Sequence, residues 1–512
     1  MTALIVHGHF YQPPRENPWT GNVDREPGAA PYHDWNERIH AECYAPNAQA
    51  QIIGTKETIE RTVNNYEKIS FNFGPTLLSW LERHHPETYS RILEADLVSC
   101  ETRGGHGNAI AQAYGHAILP LASDQDRLTQ VVWGVADFRY RFGREPESLW
   151  LSETACDNRT LDLLIEQQLR FVILAPNQAA RWRPSGTDEW KSVEHGSIDT
   201  SKAYRYVHQD GSGRSIAVFF YDGPAARAIA FEKALVSSEV LVSVFKRAAV
   251  RGPLVNVATD GETYGHHFKF GDLCLAHTLE IEAGDEGFSI TNYGQFLDQH
   301  PAAIQVQIDE GPDGEGTAWS CAHGVGRWVR DCGCHTGGEP GWNQAWRGPL
   351  RAALRFLGDT AADYYETLGS EMFVDPWAAR NASIELVLDQ QRSREEFLHR
   401  HTGRWLSTTD QFRALTLLEI QRNALLMFTS CGWFFSDISG IETIQVMKYA
   451  ARVIELMDEL GLPSPRREFL ELLAEAQSNL KDKGTGADVY RRYAEPASLF
   501  AQQVGNAEAE LL

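Results

Sequence analysis

Seven short apolar runs in the first half of the chain constrain its fold more than any other feature. They read ALIVH (3–7), ISFNF (69–73), DLVSCE (96–101), SLWLSE (148–153), FVILAP (171–176), IAVFFYDG (216–223) and LVNVATDGE (254–262). Each holds an apolar stretch of strand length, and several of the intervals between them carry helical periodicity. The interval 123–143 is the clearest. Ser123 can cap it, Leu128, Val131, Val132, Val135 and Phe138 share one face, and Gly143 stops it. Strand–helix alternation predicts a parallel sheet covered by helices, an α/β fold. Seven strands predict a (β/α)7 barrel, one strand short of the common eight-stranded type. In such barrels the polar residues just after the strands line the ligand mouth. Here those residues are His7, His9, Glu101, Glu153, Asp222, Asp260 and Glu262.

A chain of 512 residues is too long for one core. Residues 1–310 are expected to form the barrel. Residues 311–348 crowd Gly, Trp, Cys and His without a period and are expected to form a loop region over the active site. Residues 349–512 are expected to form a C-terminal helical bundle. In that part RAALRFLGDTAADYYETLG, DQFRALTLLEIQRNALLMF and IETIQVMKYAARVIELMDELG all repeat near 3.6, Gly461 ends the last of these, and Ser464–Pro465 starts another helix. The last dozen residues are expected to fray.

The net charge of −22 disfavours nucleic acid and anionic membranes as partners. No apolar stretch reaches about 18 residues, so no membrane span is expected. The start, MTALIVHGHFYQPP, lacks a basic region ahead of its apolar run, and a cytoplasmic location is expected. In such a compartment most of the eight cysteines should be free thiols.

The strand ends carry the chemistry. His7 and His9, two apart on an extended strand, face the same way. They read as hydrogen-bonded strand-end residues, as metal ligands if a third ligand is near, or as neutral contacts to sugar hydroxyls. Asp260 and Glu262 follow an apolar strand, with Gly261 and Gly265 permitting a tight turn. Either acid alone reads as a cap or turn residue. Glu153 and Asp260 together, at two strand ends of one barrel, supply the two carboxyl groups that cleavage of a glycosidic bond requires. Glu262 reads as a solvated turn carboxylate, or as a neighbour that raises the pKa of Asp260.

Five segments in order resemble the five motifs of glycoside hydrolase family 57, whose members act on α-glucans. HGHFYQP is similar to the first, CETRGGHGNAIAQAYGHAILPL to the second with Glu101 and His116 in place, LWLSETA to the third, ATDGETYGHH to the fourth, and EIQRNALLMFTSCGWFF to the fifth. The resemblance implies that Glu153 is a nucleophile and Asp260 a general acid/base in a retaining reaction, hydrolysis or transglycosylation, run without a cofactor or metal. It implies an oligo- or polysaccharide partner, and a seven-stranded barrel followed by helices. The chain departs from the pattern where Phe10 and Tyr11 stand before Gln12, and where Cys431 and Gly432 replace the Asp of a Ser-Asp-Trp core between Ser430 and Trp433. These departures mark an outlying subgroup. His7, His9, Gln12, Glu101, His116, Glu262, His266, His267 and His323 are the candidates for sugar contacts. Trp319, Trp328, Trp342 and Trp433 are the candidate platforms, and Trp150 is read as barrel core.

Cys321, His323, Cys332, Cys334 and His335 lie close in sequence. Zinc, a disulfide and simple packing are all open for them, although one-residue gaps make it hard for both neighbours to hold one tetrahedral ion. Two other functions compete with the carboxylate reading. One is a metal-dependent carbohydrate hydrolase, deacetylase- or mannosidase-like, with His7, His9 and Asp260 as ligands. The other is a non-catalytic glycan-binding barrel. Oligomeric state, linkage and chain-length preference are not encoded in any motif.

Overall fold

A computed structural model describes residues 1–54 and 58–496; the final dozen residues lie outside them. The chain divides into two units. The first comprises Met1–Gln12, Arg25–Tyr114 and Asp137–Trp319, and the second Pro13–Asp24, Gly115–Ala136 and Ser320–Leu512.

In the first unit, strand β1 (Thr2–Phe10) is buried from Leu4 to its end. Burial on both faces is the mark of a covered parallel sheet, which is why the strand reads as a continuous apolar run. Six further parallel strands are β2 (Ser70–Phe73), β3 (Ala111–Gln112), β4 (Leu149–Trp150), β5 (Phe171–Leu174), β6 (Ser215–Phe220) and β7 (Leu254–Asp260), and the short strand Phe288–Ile290 also pairs parallel with the start of β1. Strand β1 pairs with β7 from Ala3↔Leu254 to His9↔Asp260, and with β2 from His7↔Ser70 to Phe10↔Phe73. A parallel bridge Phe71↔Ala109 leads to β3, which pairs with β4. A second bridge, Ser148↔Phe171, leads to β5, and β5 pairs with β6. Beyond β6 the backbone N–H of Asp222 donates to the Asn256 carbonyl of β7 at 2.8 Å. The side chains of Ile5, Ile110, Trp150, Phe171, Ile173, Phe219, Leu254 and Ala258 meet in one core with Tyr293 and Phe296. Strands Ala179–Pro184, Lys191–Ser192, Ala203–Val207 and Ile304–Ile308 extend the sheet beyond β6.

One expected strand is a helix. DLVSCE closes α1 (Pro86–Thr102), which buries Thr88, Ile92, Ala95, Asp96 and Ser99 along one face. The period of that face is helical, and Leu97, taken for strand core, points to solvent. The third parallel strand is the two-residue β3 instead. The helix expected over 123–143 is α2 (Asp124–Phe142), capped by Ser123 Oγ accepting from Asp126 N–H at 3.1 Å and followed by Gly143 at φ +66°.

The second unit is helical. Its long helices α3 (Arg347–Met372), α4 (Thr408–Leu426) and α5 (Ile441–Glu459) fall on the three segments with 3.6 periodicity. Gly461 at φ +70° ends the last of these, and Pro465 precedes a helix Arg466–Leu473. Tyr365, Met372, Phe373, Phe397, Ala414 and Leu417 form part of one of its cores. Among the described residues no helix is long and apolar enough to cross a membrane.

Candidate active site

Glu153 leaves the end of β4 in a backbone conformation few side chains adopt. Its φ is 58° and that of Thr154 is 51°, and both fall inside a tight turn closed by Thr154 N–H to the Leu151 carbonyl at 2.8 Å. Two successive non-glycine residues in the left-handed region cost about 1–3 kcal/mol each, and such strain concentrates at functional sites. The turn is tied back by Cys156, which exchanges backbone bonds with Thr317. Two residues on, Trp319 closes over the acid. Its backbone N–H donates to the Glu153 carbonyl, and its indole N–H donates to Glu153 Oε2, each at 3.0 Å. Glu153 is buried, with 9% of its surface exposed.

Asp260 ends β7 in register with His9 of β1. His9 stacks on Trp150 at 5.0 Å and on Tyr11 at 5.6 Å, and meets the edge of Trp319 at 6.3 Å. Tyr221 meets Trp319 edge-on at 6.3 Å. These rings connect the Asp260 strand end to the Glu153 turn. Asp260 is open to solvent by area, yet protein surrounds it. That desolvation first, and the Glu153 charge second, push its carboxyl up to about 7. Tyr221 is pushed up as well, by burial and then by the Asp260 charge.

Glu262 is buried, not the solvated turn residue expected. Tyr44 O–H donates to its Oε1 at 2.5 Å and Tyr11 N–H to the same oxygen at 3.0 Å. Burial pushes its carboxyl up to about 8; the Tyr44 hydrogen bond opposes this and the Asp260 charge adds to it. The charge on Asp260 thus acts on Glu262, while Glu153 is the charge that acts on Asp260.

His7 is fully buried, and burial pushes its imidazole down to about 3. Its Nδ1 is 3.0 Å from Ser70 Oγ and its Nε2 is 3.1 Å from Asn72 Oδ1. Both ring nitrogens of His7 thus have hydrogen-bond partners within the protein. Asn72 Nδ2 in turn donates to His9 Nδ1 at 2.9 Å and to Gln112 Oε1 at 2.8 Å. His7 braces Asn72, and Asn72 holds the His9 ring against Trp150.

The remaining candidates separate. Gln12 stands after β1, its Nε2 donating to the Tyr11 carbonyl at 3.0 Å. His266 and His267 both donate backbone N–H to the Glu262 carbonyl, at 3.0 and 2.9 Å, and the His266 ring pairs with Glu42. Asp222 caps the helix Gly223–Phe231 by accepting from Ala225 N–H. Glu101 lies exposed on the last turn of α1, so the strand-end position expected for it is corrected. His116, His323, Trp328 and Trp433 belong to the second unit. His116 is buried, its Nδ1 2.7 Å from Ser430 Oγ, and burial pushes it down to about 3. Trp328 and Trp433 are 0% exposed, and their indole N–H groups donate to the Ser430 and Arg347 carbonyls at 3.1 and 3.3 Å. Both are core residues, a correction to their expected role as sugar platforms; Trp342 and Trp319 remain half-buried. The residues missed are Asn72, Tyr44 and Tyr221. For Asn72 a signal existed, since an amide at the centre of a buried four-residue strand must find hydrogen-bond partners.

Two carboxyls at strand ends thus interact electrostatically, one of them raised to about 7, beside a wall of aromatic rings. Residues 3–308 match glycosyl hydrolase family 57, and residues 342–510 match a domain of unknown function, DUF3536. The chain belongs to glycosyl hydrolase family 57. It is 24% identical over 106 residues to alpha-amylase 1 of Dictyoglomus thermophilum, covering 21% of this chain and 15% of that protein. It is 22% identical over 246 residues to the alpha-amylase of Pyrococcus horikoshii, covering 47% of this chain and 35% of that one. The chain thus spans about a third or less of these curated relatives. An exo-type maltose-forming amylase from Pyrococcus sp. ST04 has a similar structure, with TM-score 0.68 at 15% identity over 98% of this chain and 88% of that one. So does the branching enzyme of Pyrococcus horikoshii, with TM-score 0.53 at 14% identity over 97% and 96%. These likenesses concern the fold.

Proposed function

We propose that the protein is a retaining glycoside hydrolase or transglycosylase acting on α-glucans, with Glu153 as nucleophile and Asp260 as general acid/base. We also propose that the seven parallel strands close into a barrel through the Asp222–Asn256 bond, with Glu153 and Asp260 at the same mouth. The observation that carries the reading is the pairing itself. Asp260 is raised to about 7 in part by the Glu153 charge, while Trp319 donates a hydrogen bond to the Glu153 carboxylate.

In the first step Asp260 gives its proton to the glycosidic oxygen as the C1–O bond breaks. A Glu153 oxygen attacks C1 from the opposite face and forms a glycosyl ester. Esterification removes the charge on Glu153 and so lowers the pKa of Asp260, turning the acid into a base. In the second step Asp260 takes a proton from water or from an acceptor hydroxyl, whose oxygen displaces Glu153 from C1. Retention requires carboxyl groups about 5–5.5 Å apart. The Trp319 indole N–H, by donating to Oε2, fixes the orientation of the Glu153 carboxylate. The family and its amylase, branching-enzyme and glucanotransferase neighbours support the substrate class. The test is turnover of a panel of α-1,4- and α-1,6-linked glucans by wild type, Glu153→Gln and Asp260→Asn, with the anomer of the first product read by NMR. Variants as active as an active wild type, or an inverted product, refute the assignment.

A further inference from the structure

We propose that Cys321, His323, Cys332 and Cys334 bind one zinc ion as a structural, four-ligand site. Their ligand atoms all lie within 4.8 Å of one another. Cys321 Sγ is 3.9 Å from both Cys332 Sγ and Cys334 Sγ, and Cys334 Sγ is 3.5 Å from His323 Nδ1. A tetrahedral ion with Zn–S near 2.3 Å and Zn–N near 2.05 Å sets S···S edges of about 3.8 Å and S···N edges of about 3.6 Å. Three of the six edges already stand at or near those separations, and the others lie within 4.8 Å.

The local backbone explains how one-residue gaps converge. Gly333 sits at φ +79° between Cys332 and Cys334, with its N–H held by Asp331 Oδ1 at 3.1 Å, so both sulfurs turn to one side. Gly324 at φ +70° reverses the chain just after His323. Backbone N–H groups already point at the sulfurs: those of His323 and Arg327 at Cys321, and that of Ala322 at Cys334. Such N–H···S bonds are the outer shell that steadies a thiolate ligand.

A second observation concerns charge. On binding, three thiols release three protons and neutral His323 lends its Nδ1 lone pair, so the filled site carries one net negative charge. Two arginines stand beside it. Arg347 is 0% exposed; its Nη1 donates to the Cys334 carbonyl at 2.7 Å, and its Nη2 to the Phe434 and Phe435 carbonyls. Arg327, also buried, donates to the Phe434 carbonyl at 3.0 Å and lies over the Phe434 ring. Neither forms an ion pair with a carboxylate among the described residues. Asp331 acts on Arg347 only at longer range, so two buried guanidinium groups without an ion-pair partner are costly, and an anionic tris-thiolate zinc centre supplies counter-charge. Four protein ligands leave no open position, so the ion cross-links the chain and takes no part in catalysis. It does so where the described residues between 315 and 346 hold only one short 3-10 turn, at Gly326–Trp328.

The test is metal analysis of the full chain, expressed in zinc-supplemented medium and purified without chelator, beside His323→Ala and a Cys332→Ser/Cys334→Ser double variant. About one zinc per wild-type chain is expected, released by a mercurial thiol reagent, with most of it lost in both variants. Cobalt reconstitution of the wild type needs no variant to fold, and should give the intense d–d bands of a tetrahedral ion with thiolate charge-transfer absorption. A wild type well below one zinc per chain, a cluster disulfide detected as a mass lower by two hydrogens, bound iron in place of zinc, or an unchanged zinc content in the variants would each overturn the proposal.

Discussion

The Glu153→Gln variant isolates the coupling on which the proposed mechanism rests. The amide it introduces keeps an acceptor oxygen for the Trp319 indole N–H and deletes only the charge. Burial, the larger cause of the raised Asp260 pKa, is untouched, while the smaller, electrostatic cause disappears. Two charges about 5.5 Å apart interact by about 1.5–3 kcal/mol at an effective dielectric constant of about 20–40, equivalent to about one to two pH units. The Asp260 midpoint should therefore fall from about 7 to between about 5 and 6, still above an ordinary aspartate. The readout is the pH titration of the Asp260 carboxyl carbon by NMR in wild type and variant, with Asp260→Asn assigning the signal. On the proposed mechanism the same ionisation sets the alkaline limb of wild-type kcat/KM, because its first step needs protonated Asp260. A midpoint that does not move would mean that the carboxyls are too far apart to flank one bond. A midpoint that drops fully to the ordinary range would mean that burial contributes nothing.

The Glu262→Gln variant should flatten part of the pH dependence of stability. A carboxyl whose pKa rises on folding to about 8 stabilises most below its unfolded value near 4 and loses that stabilisation as pH climbs to 8. The difference between wild type and variant in urea denaturation should change across that window, and a constant difference refutes the burial assignment. Asn72→Leu leaves His7 Nε2, His9 Nδ1 and Gln112 Oε1 without their amide partner and should cost about 2–4 kcal/mol in urea unfolding. A cost below about 1 kcal/mol would show the network to be dispensable. Trp433→Phe should destabilise by about 1–3 kcal/mol and leave kcat and KM for glucan unchanged, whereas Trp319→Phe should lower kcat by about tenfold to a hundredfold through the lost charge-assisted bond. The opposite pattern would return Trp433 to the substrate.

What the sequence displayed and what it hid follow one physical division. Covered parallel strands are apolar on both faces, so β1, β2, β5, β6 and β7 appear as continuous runs. Strand β3 is two residues of Ala and Gln and has no such run, while Leu97 and Val98 lent one to a helix. Glu153 and Asp260 were legible because their motifs are local. Their partners were not: Trp319 lies 166 residues from Glu153, and Tyr44 lies 218 from Glu262, joined only by tertiary register. The same division governs the tryptophans. A Gly- and Trp-rich segment reads as surface, but Trp328 and Trp433 each have a carbonyl waiting for the indole N–H, and a buried indole with its one donor satisfied belongs to a core. Trp319 spends that donor on a carboxylate at a strained turn. A charge-assisted bond from a half-buried indole to a buried acid fixes the orientation of that acid, a role that neither Trp328 nor Trp433 has.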